Sequence, residues 1–276
     1  MRVLIYNEFM HEQKVGSAAQ RMYPKGIHMA IAEGLQKLDP DLSFQYATLE
    51  NHRDTLTEEA LAETDVLIWW GHMHHQDVED AVVSRVCEAV NKGMGLIVLH
   101  SGHESKVFQR LMGTRCSVHW RESNENGHIW LLDETHPIVQ GVQNPLDLSA
   151  EETYAEPFDI PQPDELLGVT WWKGGEIFRG MNLYRRGRGK IFYFHPGHET
   201  LPSYYNEQVL RVIDNALHYL QPVCRVQELT SRYKVPQEKD ICEALFEEKE
   251  GKLRYKGYES AHEWKAVRTN TEEEAR

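Results

Sequence analysis

The feature that most constrains the fold is the alternation of short β-prone apolar runs with predicted helices in the first hundred residues. The apolar runs are 2–6, 44–49, 65–70 and 95–99, and the predicted helices between them are 24–38, 57–63 and 78–91. Runs that are apolar throughout, rather than at every second residue, are typical of strands covered on both faces. The sequence therefore predicts an α/β fold with a mostly parallel sheet and helices on both of its faces.

The second half of the chain is less regular. Strand-like runs at 128–132, 166–172 and 190–194 alternate with turns rich in proline and glycine. This pattern predicts an antiparallel insertion before the sheet closes with the last of these runs. An apolar stripe between Pro202 and Leu220 predicts a final helix that covers the sheet.

The composition changes near the end of the chain. Residues 225–276 carry 11 basic and 12 acidic residues and few aliphatic ones, so they cannot build a core of their own. We expect a body domain over residues 1–222 and a charged C-terminal extension over residues 223–276. The extension is predicted to be helical and to dock on the body or on a partner subunit of a homo-oligomer.

The net charge of the chain limits which kinds of ligand it can bind. Against 43 Asp and Glu there are only 30 Lys and Arg, a net charge of −13 that lies almost entirely in the body. Nucleic-acid binding needs basic residues that neutralise phosphates, so none is expected, and anionic substrates such as sugar phosphates are disfavoured. The sequence has no membrane-length apolar run and no apolar signal segment at its start, so we expect a cytoplasmic protein with a small neutral substrate and no membrane partner.

The histidines are concentrated at one edge of the predicted sheet. Eight of the 15 lie in four loops that directly follow predicted strands. In an open parallel sheet the ligand site lies beyond the carboxyl ends of the strands, so these loops predict the functional site. They are Asn7–His11, Gly71–His75, His100–Glu104 and His195–Glu199.

His100 lies where a predicted strand turns into a helix that begins near Ser105. Such an elbow exposes one side chain over the site and points backbone N–H groups at it. A histidine at this position suits proton transfer or metal ligation, whereas Ser101 is interpreted as a small turn residue.

A metal site is a second interpretation of the histidines. His72 and His75 share a face if their loop forms a helical turn, and neutral imidazoles from several loops suit a divalent ion, zinc above others. Glu104, Glu152 or Glu199 would then supply a carboxylate or act as a base. The alternative is a polar loop that begins the next helix. The four cysteines are far apart, so neither a disulfide framework nor a thiolate zinc site is predicted.

Taken together, several motifs resemble the trehalose-utilisation ThuA family over about residues 1–222. They are Tyr23–His28, Trp69–His72 with His75, Gly93–His103, Trp120–Glu122, His136–Ile138, Glu151–Tyr154 and Phe192–Thr200. The resemblance implies a flavodoxin-like sheet of the class I glutamine-amidotransferase-like type. That superfamily has a cysteine at the elbow and a His-Pro-Glu segment after a late strand. Here His100 and Gly197 stand in place of the cysteine and the glutamate, so glutaminase activity is rejected because an acyl-enzyme needs a thiolate.

The resemblance implies action on trehalose or a related disaccharide, including 3-keto sugars made by a companion dehydrogenase. We assign three sets of site residues. The catalytic set is His100, His103, Glu152 and His198; the substrate-binding set is Glu8, Trp70, Tyr154 and Glu199; the metal set is His72, His75 and His198.

Three functions are weighed. The first is an enzyme that acts on a disaccharide or keto-sugar by hydrolysis, elimination or isomerisation, through His/Glu acid–base or metal-assisted chemistry. The second is a non-catalytic sugar-binding or regulatory module on an amidotransferase-like scaffold. The third, an amidotransferase with a nucleophile elsewhere, requires Cys87 or Cys116 in the cleft.

Overall fold

A computed structural model describes residues 1–226 and 246–255, and the structural statements that follow concern these residues. They contain one nine-stranded sheet in the order β2-β1-β3-β4-β9-β8-β7-β5-β6 and a separate two-stranded hairpin. The strands of the large sheet are β1 (Arg2–Asn7), β2 (Ser43–Thr48), β3 (Val66–Trp70), β4 (Gly95–Leu99), β5 (His119–Leu131), β6 (Leu146–Ala155), β7 (Glu165–Trp172), β8 (Ile177–Arg186) and β9 (Gly189–Phe194). The α-helices are α1 (Ala18–Met22), α2 (Ile27–Leu38), α3 (His52–Thr55), α4 (Glu58–Glu63), α5 (Asp80–Lys92), α6 (Lys106–Met112) and α7 (Glu207–Leu220).

The first half of the sheet is parallel. Strands β2, β1, β3, β4 and β9 pair in parallel, and every residue of β3 and β4 is buried. Alternate residues of these strands enter two different cores: Ile68 and Ile97 pack on one face of the sheet, Leu67 and Leu96 on the other. This is why the runs are apolar at every position.

Helices cover both faces of the parallel half, as predicted. Helices α2 and α7 contribute residues such as Ile31 and Ile213 to one core. On the opposite face α5 and α6 contribute Val86 and Phe108 to the other core. Within the described residues, no helix is long and apolar enough to cross a membrane.

The second half of the sheet is antiparallel, and it is larger than predicted. Strands β9, β8, β7, β5 and β6 pair antiparallel. The large sheet therefore has as many antiparallel strand pairs as parallel ones. The prediction of a mostly parallel sheet holds only for its first half. Strands β6 and β8 were not predicted, because their sequences lack a continuous apolar run. One face of this half packs on the core through residues such as Ile129, while Trp130 and Trp171 stand exposed on the other.

Two predicted helix boundaries differ from those observed. The segment that begins at Pro24 becomes helical only at Ile27, because Gly26 adopts φ +94° as the N-cap of α2. The helix predicted from Pro202 begins at Glu207, after a short 3₁₀ turn, and Asn206 caps it by accepting from the N–H groups of Gln208 and Val209.

The chain divides into two units, residues 1–229 and 230–276, near the boundary predicted at residue 222. The described part of the second unit is an antiparallel hairpin of β10 (Phe246–Lys249) and β11 (Lys252–Tyr255). The helical prediction for the extension is therefore wrong for residues 246–255. The remainder of that prediction, at residues 227–245 and 256–276, lies outside the described residues.

Candidate active site

The four histidine-bearing loops meet at the carboxyl edge of the parallel strands. The end of β6 joins them there: His195 Nε2 donates to the backbone carbonyl of Glu152 at 3.2 Å, and Trp172 Nε1 donates to the carbonyl of Tyr154 at 2.9 Å. Strand β5, which pairs with β6, has register shifts between Arg121 and Gly127, and such bulges bend a strand. The site therefore combines the predicted loops with a strand that was not predicted.

His100 occupies a strained elbow directly after β4. Its φ is +49°, a left-handed conformation that costs a non-glycine residue about 1–2 kcal/mol. Nδ1 donates to the carbonyl of His195 at 2.9 Å, because a carbonyl only accepts. Nε2 is thereby left to exchange a proton, and it lies 3.1 Å from Glu152 Oε2.

His100 and Glu152 form a buried ion pair. Burial alone would lower the pKa of His100, but the hydrogen bond that His100 donates to Glu152 and the charges of Glu151 and Glu152 outweigh it and raise the pKa above its usual value. Burial likewise acts to raise the pKa of Glu152, and the hydrogen bond and charge of His100 outweigh it and lower that pKa. The two opposed shifts favour the proton on His100 and the negative charge on Glu152.

Tyr154 lies against this pair. Its ring stacks on His100 with a centroid separation of 5.1 Å, and its hydroxyl is 3.4 Å from His100 Nε2. Burial raises the pKa of Tyr154 well above its usual value, so the hydroxyl remains a proton donor.

His103 and His195 are neutral and buried behind the pair. Burial lowers the pKa of His103 to about 3, and its Nδ1 donates to the carbonyl of Cys116 at 2.6 Å. Burial also lowers the pKa of His195 far below its usual value. The structure thus places His103, predicted to be catalytic, beside Tyr154, in an edge-to-face contact with the ring centroids 5.4 Å apart.

Glu151 anchors the loop after β9, a role that the sequence analysis missed. Its carboxylate accepts from the N–H groups of Glu152, Gly197 and His198 at 2.9–3.2 Å and from the Ser203 hydroxyl at 2.5 Å. A buried carboxylate with four donors is fully satisfied and has a structural role. Its position next to Glu152 was visible in the sequence, but its partners come from an unpredicted pairing.

Two residues predicted to bind substrate have structural roles instead. Glu8 accepts from the backbone N–H groups of His72, Met73 and His74 at 2.8–3.1 Å, so it fixes the loop after β3. Trp70 is fully buried, and its Nε1 donates to the carbonyl of Gly197 at 2.9 Å. Its face cannot stack on a sugar.

The other predicted residues lie at the mouth of the site. Glu199 is in contact range of three imidazoles: its carboxylate oxygens lie 3.8 Å from His11, 3.9 Å from His72 and 3.6 Å from His198. His198 Nδ1 accepts from the N–H of Thr200 at 3.3 Å, which leaves the proton on Nε2, facing Glu199. His72 is held neutral, because burial lowers its pKa to about 4.

The metal set differs from the predicted one. Among the described residues, His11, His72 and Glu199 have potential ligand atoms within 4.8 Å of one another, and His75 and His198 are not in this group. His75 is buried beneath Gly71, whose added Cβ would lie 3.2 Å from the His75 ring. His11 was recognised only as a residue of the loop after β1.

Neither cysteine considered as a displaced nucleophile is activated. Burial raises the pKa of both Cys87 and Cys116 to about 11, so both thiols stay protonated near neutral pH. Cys87 lies in α5 and packs in the core.

The fold and the site define an α/β protein whose histidine- and glutamate-lined cleft lies at the carboxyl ends of parallel strands, with histidine at the elbow. The family model for trehalose utilisation, ThuA, matches residues 2–220. The chain belongs to the ThuA family.

Solved structures agree on the fold. A ThuA-like protein from Parabacteroides merdae ATCC 43184 is 13% identical with a TM-score of 0.59, covering 84% of this chain and 93% of that one. A ThuA-like protein from Bacteroides uniformis ATCC 8492 is 14% identical with a TM-score of 0.56, covering 78% and 89%. A cytoplasmic protein from Salmonella typhimurium LT2 is 14% identical with a TM-score of 0.57, covering 80% and 100%. No curated protein matches this chain.

Proposed function

We propose that this chain is an enzyme that acts on a neutral disaccharide or keto-sugar by proton transfer at the Glu152–His100 pair. The observation that carries this proposal is the fixed tautomer of His100. Its Nδ1 is committed to the His195 carbonyl and its Nε2 faces Glu152 Oε2 at 3.1 Å. A proton can therefore move between His100 Nε2 and Glu152 Oε2, which is the arrangement of a general acid–base pair.

Exposure decides which member of the pair meets the substrate. The His100 side chain is 0% exposed and that of Glu152 is 7% exposed, whereas His72 at the mouth is 20% exposed. A substrate that enters past His72 reaches Glu152 before His100. Glu152 is therefore the catalytic residue, and His100 is a positioning residue that supplies or stores the proton.

The chemistry follows from these positions. With a keto-sugar bound, the Glu152 carboxylate removes a proton from the carbon next to the carbonyl, while the His100 imidazolium balances the charge of the carboxylate. The ring of Tyr154 stacks on the imidazole of His100, and its hydroxyl lies 3.4 Å from His100 Nε2, so Tyr154 helps to fix the His100 ring. The resulting enediolate can lead to elimination or isomerisation, and the same acid–base pair can serve hydrolysis.

Two further observations support this class of substrate. The family name refers to trehalose utilisation, and trehalose and its keto derivatives are uncharged. The net charge of −13 disfavours anionic sugars near the cleft. The elbow carries His100 rather than a thiol, so the proposal includes no glutaminase activity.

The proposal is tested by incubating the protein with trehalose, other neutral disaccharides and their 3-keto derivatives, and following the sugars by NMR. We expect one class to be consumed, and His100→Ala and Glu152→Gln to slow consumption about 10²- to 10⁴-fold. His218→Ala, a substitution at a half-exposed histidine near the end of α7, is the matched control and should keep full activity.

Two outcomes would contradict the proposal. Full activity in the His100→Ala variant would remove the acid–base pair from the mechanism. Saturable sugar binding without any product would instead support a non-catalytic sugar-binding or regulatory module.

A further inference from the structure

The mouth of the site contains three side chains whose arrangement the acid–base pair does not explain. His11 Nε2 and His72 Nδ1 lie 3.3 Å apart, and both rings face Glu199. These residues come from the loops after β1, β3 and β9. Three separate segments of the chain therefore bring two imidazoles and one carboxylate to the same point.

A second observation points to a missing ligand. Glu199 is 6% exposed, and its Oε2 has no hydrogen-bond partner in the part of the chain that the structure describes. A buried carboxylate oxygen without a donor is energetically unfavourable, because it has lost its hydration without gaining a hydrogen bond. The imidazole nitrogens of His72 and His198 lie 3.9 Å and 3.6 Å from Glu199 Oε2, too far for hydrogen bonds.

The spacing agrees with metal coordination. In a tetrahedral site with metal–nitrogen bonds of about 2.0–2.1 Å, neighbouring ligand atoms lie about 3.3 Å apart. The His11–His72 pair already has this separation, and the full set of three lies within 4.8 Å. A small movement of the Glu199 carboxylate towards the two rings completes the set.

We propose that His11 Nε2, His72 Nδ1 and Glu199 Oε2 bind one divalent cation of the zinc type, with a coordination position left open to the cleft. Two imidazoles and a carboxylate suit Zn²⁺, Co²⁺ or a related ion rather than Mg²⁺ or Ca²⁺, which prefer all-oxygen ligands. Three protein ligands and an open position are typical of catalytic rather than structural zinc.

This inference rests on the site geometry and deepens the proposed function. The His198 ring centre lies 6.0 Å from that of His72 and 5.6 Å from that of His100, so His198 separates the cation site from the proton-transfer pair. A substrate bound to the cation through adjacent hydroxyl and carbonyl oxygens would extend towards Glu152. The substrate class is thereby narrowed to sugars that present an α-hydroxy ketone.

Metal binding is measured without substrate, which keeps this test independent of activity. Protein stripped with a chelator is titrated with Zn²⁺ by calorimetry and with Co²⁺ by absorption spectroscopy. We expect one equivalent per chain and the visible bands of four-coordinate Co²⁺. His11→Asn, at a residue of the mouth that is 28% exposed, and Glu199→Gln should each weaken binding at least tenfold.

His218→Ala is again the control, because Asp39, Asp214 and His218 form another candidate group on the surface. Its affinity should equal that of the wild type, and circular dichroism checks the fold of each variant. Wild-type protein that binds no equivalent of either ion would overturn the inference, as would affinity lost in His218→Ala and kept in His11→Asn. Stoichiometric binding with no turnover of any sugar would leave the metal site standing and contradict only the proposed function.

Discussion

At the scale of single residues, the hydrogen bonds that a polar group already makes decide whether it is available for chemistry. Glu8 and Glu151 are as buried as Glu152, yet their oxygens are occupied by backbone N–H groups. Glu152 instead faces one titratable partner, His100. Glu8, in the loop after β1, and Glu151, in β6, are thus structural, whereas Glu152, also in β6, faces a titratable partner.

The ion pair predicts the behaviour of His100 when its partner is neutralised. In Glu152→Gln the strongest influence that raises the pKa of His100 is lost while the ring stays buried, so the pKa of His100 should fall. The imidazolium then persists only at lower pH, and any activity that needs it should be lost at a lower pH than in the wild type. NMR titration of the His100 ring measures this directly.

The matched comparison for this titration is His218→Ala, in which the His100 resonance should titrate as in the wild type. An unchanged pKa for His100 in Glu152→Gln would show that Glu152 does not control its proton.

At the scale of elements, hydrogen bonds with residues of β3 and β6 fix the loop after β9. Gly197 donates its N–H to Glu151, and its carbonyl accepts from Trp70. Its φ is +144°, and an added Cβ would lie 1.9 Å from the Tyr204 hydroxyl. A side chain at position 197 therefore has no space in this loop.

Gly197→Ala should therefore destabilise the protein by about 3 kcal/mol or more, since it combines backbone strain with a clash in a packed core. Gly175→Ala separates the two effects, because Gly175 has φ +93° but nothing within 4 Å of an added Cβ. It should cost only about 1–2 kcal/mol. Chemical denaturation of both variants checks the difference, and equal losses would show that the clash is relieved at little cost.

At the scale of the whole molecule, the sequence predicted what local patterns determine. Continuous apolar runs identified β1, β3 and β4, and the loops after them identified the histidine-rich edge. Strand β6 could not be predicted, because its pairing with β5 depends on residues far away in the chain and its apolar positions are few. His100 and Glu152 were both predicted to be catalytic, but the sequence did not show that they pair with each other.

The same limit applies to the metal set. Sequence spacing favoured His72 with His75, since both lie in one loop, whereas the structure groups His72 with His11 and Glu199 from two other loops. Local spacing cannot show which of several loops approach each other. Trp70 illustrates a related error: it was predicted to bind substrate, but its indole N–H donates to the carbonyl of Gly197 in the loop after β9.

The measurement that tests the central claim most directly is solvent deuterium incorporation into a keto-sugar. In D₂O the wild-type protein should exchange the hydrogen on the carbon next to the carbonyl, whatever product is finally released. Glu152→Gln should exchange at least 100-fold more slowly, and His218→Ala at the wild-type rate. Exchange at the wild-type rate in Glu152→Gln, or sugar consumption by the wild type without any exchange, would contradict proton abstraction by Glu152.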